Sequence, residues 1–172
     1  MMSFTNLNAN APRWRYNIRV SFDLDDTLTS HCNKVPIEKC LFPAFINRWL
    51  GEPLRHGTRR LFRELRQLNC SIWIYTSSGR SSAYIKRWFL LHGIYIDDVV
   101  NGNRHCRALN QHYLRRSPSK FPPAFGIDLH VDDSEGVKME GDEHGFRVVV
   151  IHPYDEHWTE KVLDAVATLR YV

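Results

Sequence analysis

Strand-like runs that alternate with helical stretches predict an α/β protein, a three-layer arrangement in which a parallel sheet carries helices on both faces. Three observations carry this expectation. Apolar, mostly β-branched runs near residues 18–22, 71–75, 98–101, 127–131 and 147–151 are separated by segments of helical period or by loops. Acids follow two of these runs, Asp23, Asp25 and Asp26 after the first and Asp132 with Asp133 after the fourth. Parallel sheets bind ligands at the carboxyl ends of their strands, so acids placed there belong to a site. The composition, 43% apolar and 12% aromatic over 172 residues, suits one globular domain with a substantial core.

Residues 1–16 are rich in Asn and small residues and lack an apolar period, which predicts a flexible lead-in that lays Trp14 on the body; residues 17–172 then form a single domain. After the first acidic segment, residues 31–53 carry a short helical pattern, Leu41, Phe45 and Trp49, bounded by Pro36 and by Gly51 with Pro53. This insert is too small for an independent domain and reads as a flap or miniature cap. Residues 57–69 repeat apolar positions at 61, 62, 65 and 68, a helical face opposed by an exposed stripe of Arg59, Arg63 and Arg66. Residues 81–92 are helical, with Tyr84, Trp88 and Leu91 on one stripe and Gly93 as the stop. A helix over 105–114, a Pro-containing loop over 117–126 and a last helix over 157–170, with Trp158, Val162, Val166 and Leu169 inward, complete the reading.

No apolar run approaches the ~20 residues of a membrane span, and the first ten residues lack a basic region followed by an apolar stretch; we expect a soluble, cytoplasmic protein. Cys32, Cys40, Cys70 and Cys106 form no C-x-x-C pair and are expected to be reduced; a His/Cys zinc site from His31, Cys32, His105 and Cys106 is the minor alternative. A formal charge of +4 favours an anionic partner without identifying it. Arg104, His105, Arg107, Arg115 and Arg116 form a basic stretch that is either a solvated face or a steering surface for such a partner. His31, His130, His144 and His152 receive no role, and His130 alternates with the core residues Leu129 and Val131.

Asp23, Asp25 and Thr27 spell Asp-x-Asp-x-Thr directly after a hydrophobic strand. A second strand, Ile72-Trp73-Ile74-Tyr75, ends on Thr76 and is followed by Ser77, Ser78, Gly79 and Arg80; Lys120 stands alone in a loop before a third strand, which runs into Asp132-Asp133. In this order the four segments resemble the signatures of the haloacid-dehalogenase-like (HAD) phosphohydrolases, over about residues 18–152. The resemblance implies a Rossmann-like sheet, with only a small insert after the first strand. Capless or minimally capped members of the family share that economy, and an open site of their kind suits phosphate carried on large molecules, nucleotides and nucleic-acid ends among the candidates, although other capless members act on small molecules as oligomers. By the same resemblance Asp23 is the nucleophile and Asp25 the acid and base, while Thr76, Ser77 and Lys120 hold phosphate oxygens, with Lys86 as the competing lysine. Mg²⁺ would be held by Asp23, the carbonyl of Asp25 and Asp133, with Asp132 able to share or exchange that last place. The implied activity is Mg²⁺-dependent hydrolysis of phosphate monoesters through an aspartyl-phosphate. The rival expectation is a non-catalytic phosphate-binding or nucleic-acid-binding module on the same fold.

Overall fold

A computed structural model describes residues 17–29, 35–39, 41, 52–110 and 117–170. The proposed lead-in, most of the insert with Phe45 and Trp49, and His31, Cys32, Arg115 and Arg116 lie outside the described residues.

Five strands, β1 (Arg19–Phe22), β2 (Ser71–Tyr75), β3 (Asp98–Val100), β4 (Leu129–Asp132) and β5 (Val148–Val150), form one sheet in the order β3-β2-β1-β4-β5. Every neighbouring pair is parallel. The apolar runs specify this burial: Val20, Phe22, Ile72, Ile74 and Val131 are wholly shielded from solvent, as expected for strands covered on both faces. Each return to the start of the next parallel strand needs a crossover. The helices α1 (Thr58–Gln67), α2 (Ser82–Leu91), α3 (Gly102–Leu109) and α4 (Glu135–His144) supply it, and α5 (Trp158–Arg170) follows β5.

One core packs β1, β2 and β4 against Leu61, Phe62 and Leu65 of α1, Ile85, Trp88 and Phe89 of α2, and Val162 and Val166 of α5. Phe121, Val137, Phe146 and Val148 make a separate cluster, and Tyr75, Val100 and Ile127 a third. α4 approaches β5 through glycine: a Cβ at Gly141 would stand 2.7 Å from Phe146 O. Antiparallel bridges Thr29 to Leu54 and Ile37 to Arg55 close the root of the insert.

Three elements differ from the sequence expectation. α4 is absent from it because Glu135–His144 buries only Val137 and Gly141, too few apolar positions to show a helical period. Its ends do carry signals: the Ser134 side chain caps Val137 N, and Gly145 adopts the left-handed conformation at φ 74°. α3 starts at Gly102, ahead of the expected 105, behind its cap Asn101, whose side chain accepts from Arg104 N; residues 111–114 of the expected helix lie outside the described residues. The arginine stripe of α1 is not a plain solvated surface: Arg59 pairs with Glu38 and donates to His92 O at 2.8 Å, and Arg66 pairs with Asp97 at 2.6 Å.

Candidate active site

In a parallel sheet all strands finish at one edge, so residues just past β1, β2 and β4 are brought level by register alone. Phe22 lies opposite Ile74 on one side and Val131 on the other, which places Asp23, Tyr75 and Asp132 in a row. Asp23 N donates to Val131 O at 2.8 Å and Thr76 N to Val100 O at 2.9 Å, extending the ladder one residue beyond the strands. β1 sends its connections to β2 on one side while β4 lies on the other, the reversal of order at which open α/β sheets bind ligands. A pocket of about 250 Å³ opens there, lined by Asp23, Asp25, Ser77, Ser119, Lys120, Asp132, Ser134 and Val137.

Lys120 is the cation of this pocket. It is only 3% exposed, pairs with Asp23, donates to Tyr75 O at 3.0 Å and lies 3.9 Å from Asp132. A buried ammonium needs carboxylate partners, and two are supplied. The loop that carries it is fixed at three points. Tyr75 Oη accepts from Phe121 N at 2.8 Å and contacts His105 Nδ1 at 2.6 Å, and Glu140 of α4 captures both the Ser119 amide and its hydroxyl. Burial holds the Tyr75 phenol above its ordinary range and His105 below its own, so the pair is neutral.

The acids crowd one another. Burial pushes Asp23 up to about 7; Lys120 opposes this, and Asp132 and Asp133 reinforce it. Asp133, whose Oδ1 accepts from Thr27 at 3.2 Å, is raised by burial and by Asp132. Burial works against the charge of Asp132 as well, yet the hydrogen bond from His130 and the proximity of Lys120 hold it below the usual carboxylate range. Asp25 differs: it is part-exposed and bound through both oxygens by Arg80 Nη1, at 2.9 and 3.0 Å.

No family model matches the sequence, and no curated protein matches it. Among solved structures the chain is similar to the HAD domain of the effector protein Lem4 from Legionella pneumophila, at 14% identity and a TM-score of 0.52 over 90% of this chain and 96% of that one. The fold is HAD-like.

Within this HAD-like fold the structure brings Asp23, Asp25, Ser77, Lys120 and Asp132 to one pocket. Thr76 is buried beside it, its hydroxyl accepting from Ser78 N at 3.1 Å, so it shapes the loop while Ser77 lines the pocket. That loop rests on α3: a Cβ at Gly102 would stand 2.6 Å from Ser77 O, closer than any side chain tolerates. Lys86 is elsewhere, donating to Asp97 O at 2.9 Å and lying 3.7 Å from Asp98, at the opposite edge of the sheet. Arg104 likewise turns to Asp98 and the Trp73 ring, and His105 is buried against Tyr75, so neither offers a steering surface at the pocket. Among the described residues no group of three or more His, Cys, Asp or Glu side chains is arranged to hold a metal ion.

His130 is the residue that sequence reasoning missed. It is wholly buried on β4, where register sets it opposite Ser21; Ser21 Oγ lies 2.8 Å from Nδ1, and Nε2 lies 3.0 Å from Asp132 Oδ2. Because an ionised Asp132 only accepts, Nε2 carries the proton and Nδ1 accepts from the serine. Ser134 N donates to the other oxygen at 3.0 Å, which leaves Asp132 no freedom to rotate. His130→Ala, which removes the partner of Ser21 Oγ and of Asp132 Oδ2 and opens a void, is expected to cost about 3 kcal/mol in urea denaturation. Ser21→Ala, which removes one hydrogen bond, should cost about 1 kcal/mol.

Proposed function

We propose that the chain is a Mg²⁺-dependent phosphatase that hydrolyses phosphate monoesters through an aspartyl-phosphate on Asp23. The supporting observation is the meeting, in one pocket at the strand ends, of Asp23 and Asp25 with a buried lysine contributed by a distant loop.

A carboxylate that attacks a phosphate approaches another anion, and each pair of unit charges at 4 Å opposes it by about 4 kcal/mol at an effective dielectric of 20. Lys120 offsets part of this and, with Ser77, holds the non-bridging oxygens. In the first step an Asp23 oxygen bonds to phosphorus, the bond from phosphorus to the ester oxygen breaks, and the proton on Asp25 passes to that oxygen. In the second step water adds to phosphorus, gives its proton to Asp25, and the bond to Asp23 breaks, releasing phosphate and restoring both acids.

The donor set fits a magnesium ion. Asp23, Asp132 and Asp133 set three carboxylates around one ammonium, Lys120, and Asp132 and Asp133 each add to the rise that burial gives Asp23. Mg²⁺ takes one or two carboxylates with carbonyl, water and phosphate oxygens, so the absence of a three-group cluster is compatible with it. Asp23, Asp133 and the carbonyl of Asp25 would hold the ion, because both oxygens of Asp132 already accept hydrogen bonds. When bound, it supplies positive charge to the nucleophile and the phosphate oxygens.

The open pocket suits a phosphate that projects from its carrier, and nucleotides and nucleic-acid ends belong to that class. Release of phosphate from p-nitrophenyl phosphate should require Mg²⁺, stop with EDTA and return when Mg²⁺ is restored. Without any substrate, Mg²⁺ at ten times its Kd should add about 1.4 kcal/mol of stability, read as a thermal shift. A chain that neither shifts nor turns over defeats the proposal.

A further inference from the structure

Arg80 lies outside the lining of the pocket and touches it through a single residue. Its Nη1 binds both oxygens of Asp25, and its Nη2 donates to Glu52 Oε1 at 2.9 Å. Each end of this bridge is braced. Asn101 Nδ2 donates to Arg80 O at 3.0 Å, and Trp88 Nε1 donates to Glu52 O at 3.0 Å. The second oxygen of Glu52 is buried with no hydrogen-bond partner, so the carboxylate is held in place at the cost of one unmet acceptor.

Asp25 gains most from this arrangement. It stands on the turn after β1, next to Asp26 with its left-handed φ of 60°, and its side chain is 38% exposed. Left alone, such a carboxylate rotates among solvated rotamers, whereas proton transfer requires it within a few tenths of an ångström of the reacting oxygen. One guanidinium nitrogen that contacts both oxygens fixes the direction of the group and leaves lone pairs on each oxygen unoccupied. Direct binding of phosphate by Arg80 is the weaker role, because its charge is already opposed by two carboxylates and it does not line the pocket.

We infer that Arg80, braced by Glu52, is the positioning residue for Asp25, aiming it at the ester oxygen of the leaving group; this rests on the phosphatase reading above. Bond making and proton flow are those already given, and Arg80 neither gains nor loses a proton.

The test compares two substrates in the presence of Mg²⁺. The leaving oxygen of p-nitrophenyl phosphate departs readily as an anion, whereas that of phenyl phosphate needs a proton. Arg80→Ala should lower kcat/KM, which reports the step in which the leaving oxygen departs, about 30-fold on phenyl phosphate and less than about 3-fold on p-nitrophenyl phosphate. The kcat, which includes the hydrolysis of the aspartyl-phosphate common to both, should fall on both. Glu52→Gln, which keeps Arg80 and spares the fold, should show the same split at smaller size, and Arg80→Lys should restore part of the loss. Asp25→Asn is the reference and should show the largest split. If Asp25→Asn discriminates between the substrates in kcat/KM while Arg80→Ala and Glu52→Gln lower kcat/KM equally on both or leave it unchanged, the inference is overturned and the function stands. Should Asp25→Asn itself not discriminate, Asp25 is not the leaving-group acid and the inference falls; the phosphatase reading falls only if the wild-type protein shows no Mg²⁺-dependent turnover.

Discussion

Asp23→Asn should abolish phosphate release, with kcat lowered by at least about 10⁴-fold, because the amide cannot form the acyl phosphate. The same substitution has a second signature in the metal-free protein. The carboxyl of Asp23 is raised by burial from 3.8 to about 7, so the folded state holds its proton more tightly than the unfolded chain does. The stability that this confers is fully present below pH 3.8 and is lost as pH rises to about 7. Urea denaturation between pH 4 and 7 should therefore show the wild-type protein weakening, and Asp23→Asn should flatten that slope. Loss of turnover with an unchanged slope would mean that the acid is catalytic without being electrostatically strained.

Lys120→Met should be the other severe change. The buried cation pairs with Asp23 and stands 3.9 Å from Asp132, and without it these two acids lose the positive partner they share, with Asp133 adding to the repulsion felt by Asp23. We expect a loss of about 10²- to 10³-fold in kcat/KM on p-nitrophenyl phosphate, the scale at which one charged donor to a transition state is felt. A stability loss of about 3 kcal/mol at pH 7.5 should accompany it. That loss should shrink towards pH 5, because protonation of the crowded acids removes the repulsion. Lys86→Met, at the far edge of the sheet, should leave both measurements near the wild-type values.

The legibility of these features in the amino-acid sequence followed the kind of physics behind each. β2 could be bounded residue by residue because an unbroken apolar run between an Asn-Cys turn and a Thr-Ser-Ser loop admits little else. The acids after β1 and β4 were legible because charge at the end of a hydrophobic run has no structural need to be there. α4 was not, since its buried face is a valine and a glycine, and only the rule that parallel neighbours require a crossover demanded a helix in that place. His130 looked like one more inward strand position; its partner Ser21 is 109 residues away and meets it only through the pairing of β1 with β4. Lys120 in a Pro-containing loop gave no sign of burial, because the groups around it and its loop, Tyr75, Glu140, Asp23 and Asp132, come from four separate parts of the chain. Arg80 was visible as a residue after Thr76 but not as a bridge, for its second partner, Glu52, lies at the end of the insert.

The bridges that join Thr29 to Leu54 and Ile37 to Arg55 tie the two ends of that insert side by side. Lengthening a connection whose ends are already stapled costs only about 0.6 kcal/mol per doubling. A segment rooted in this way can grow or shrink over generations at little thermodynamic expense to the sheet it springs from.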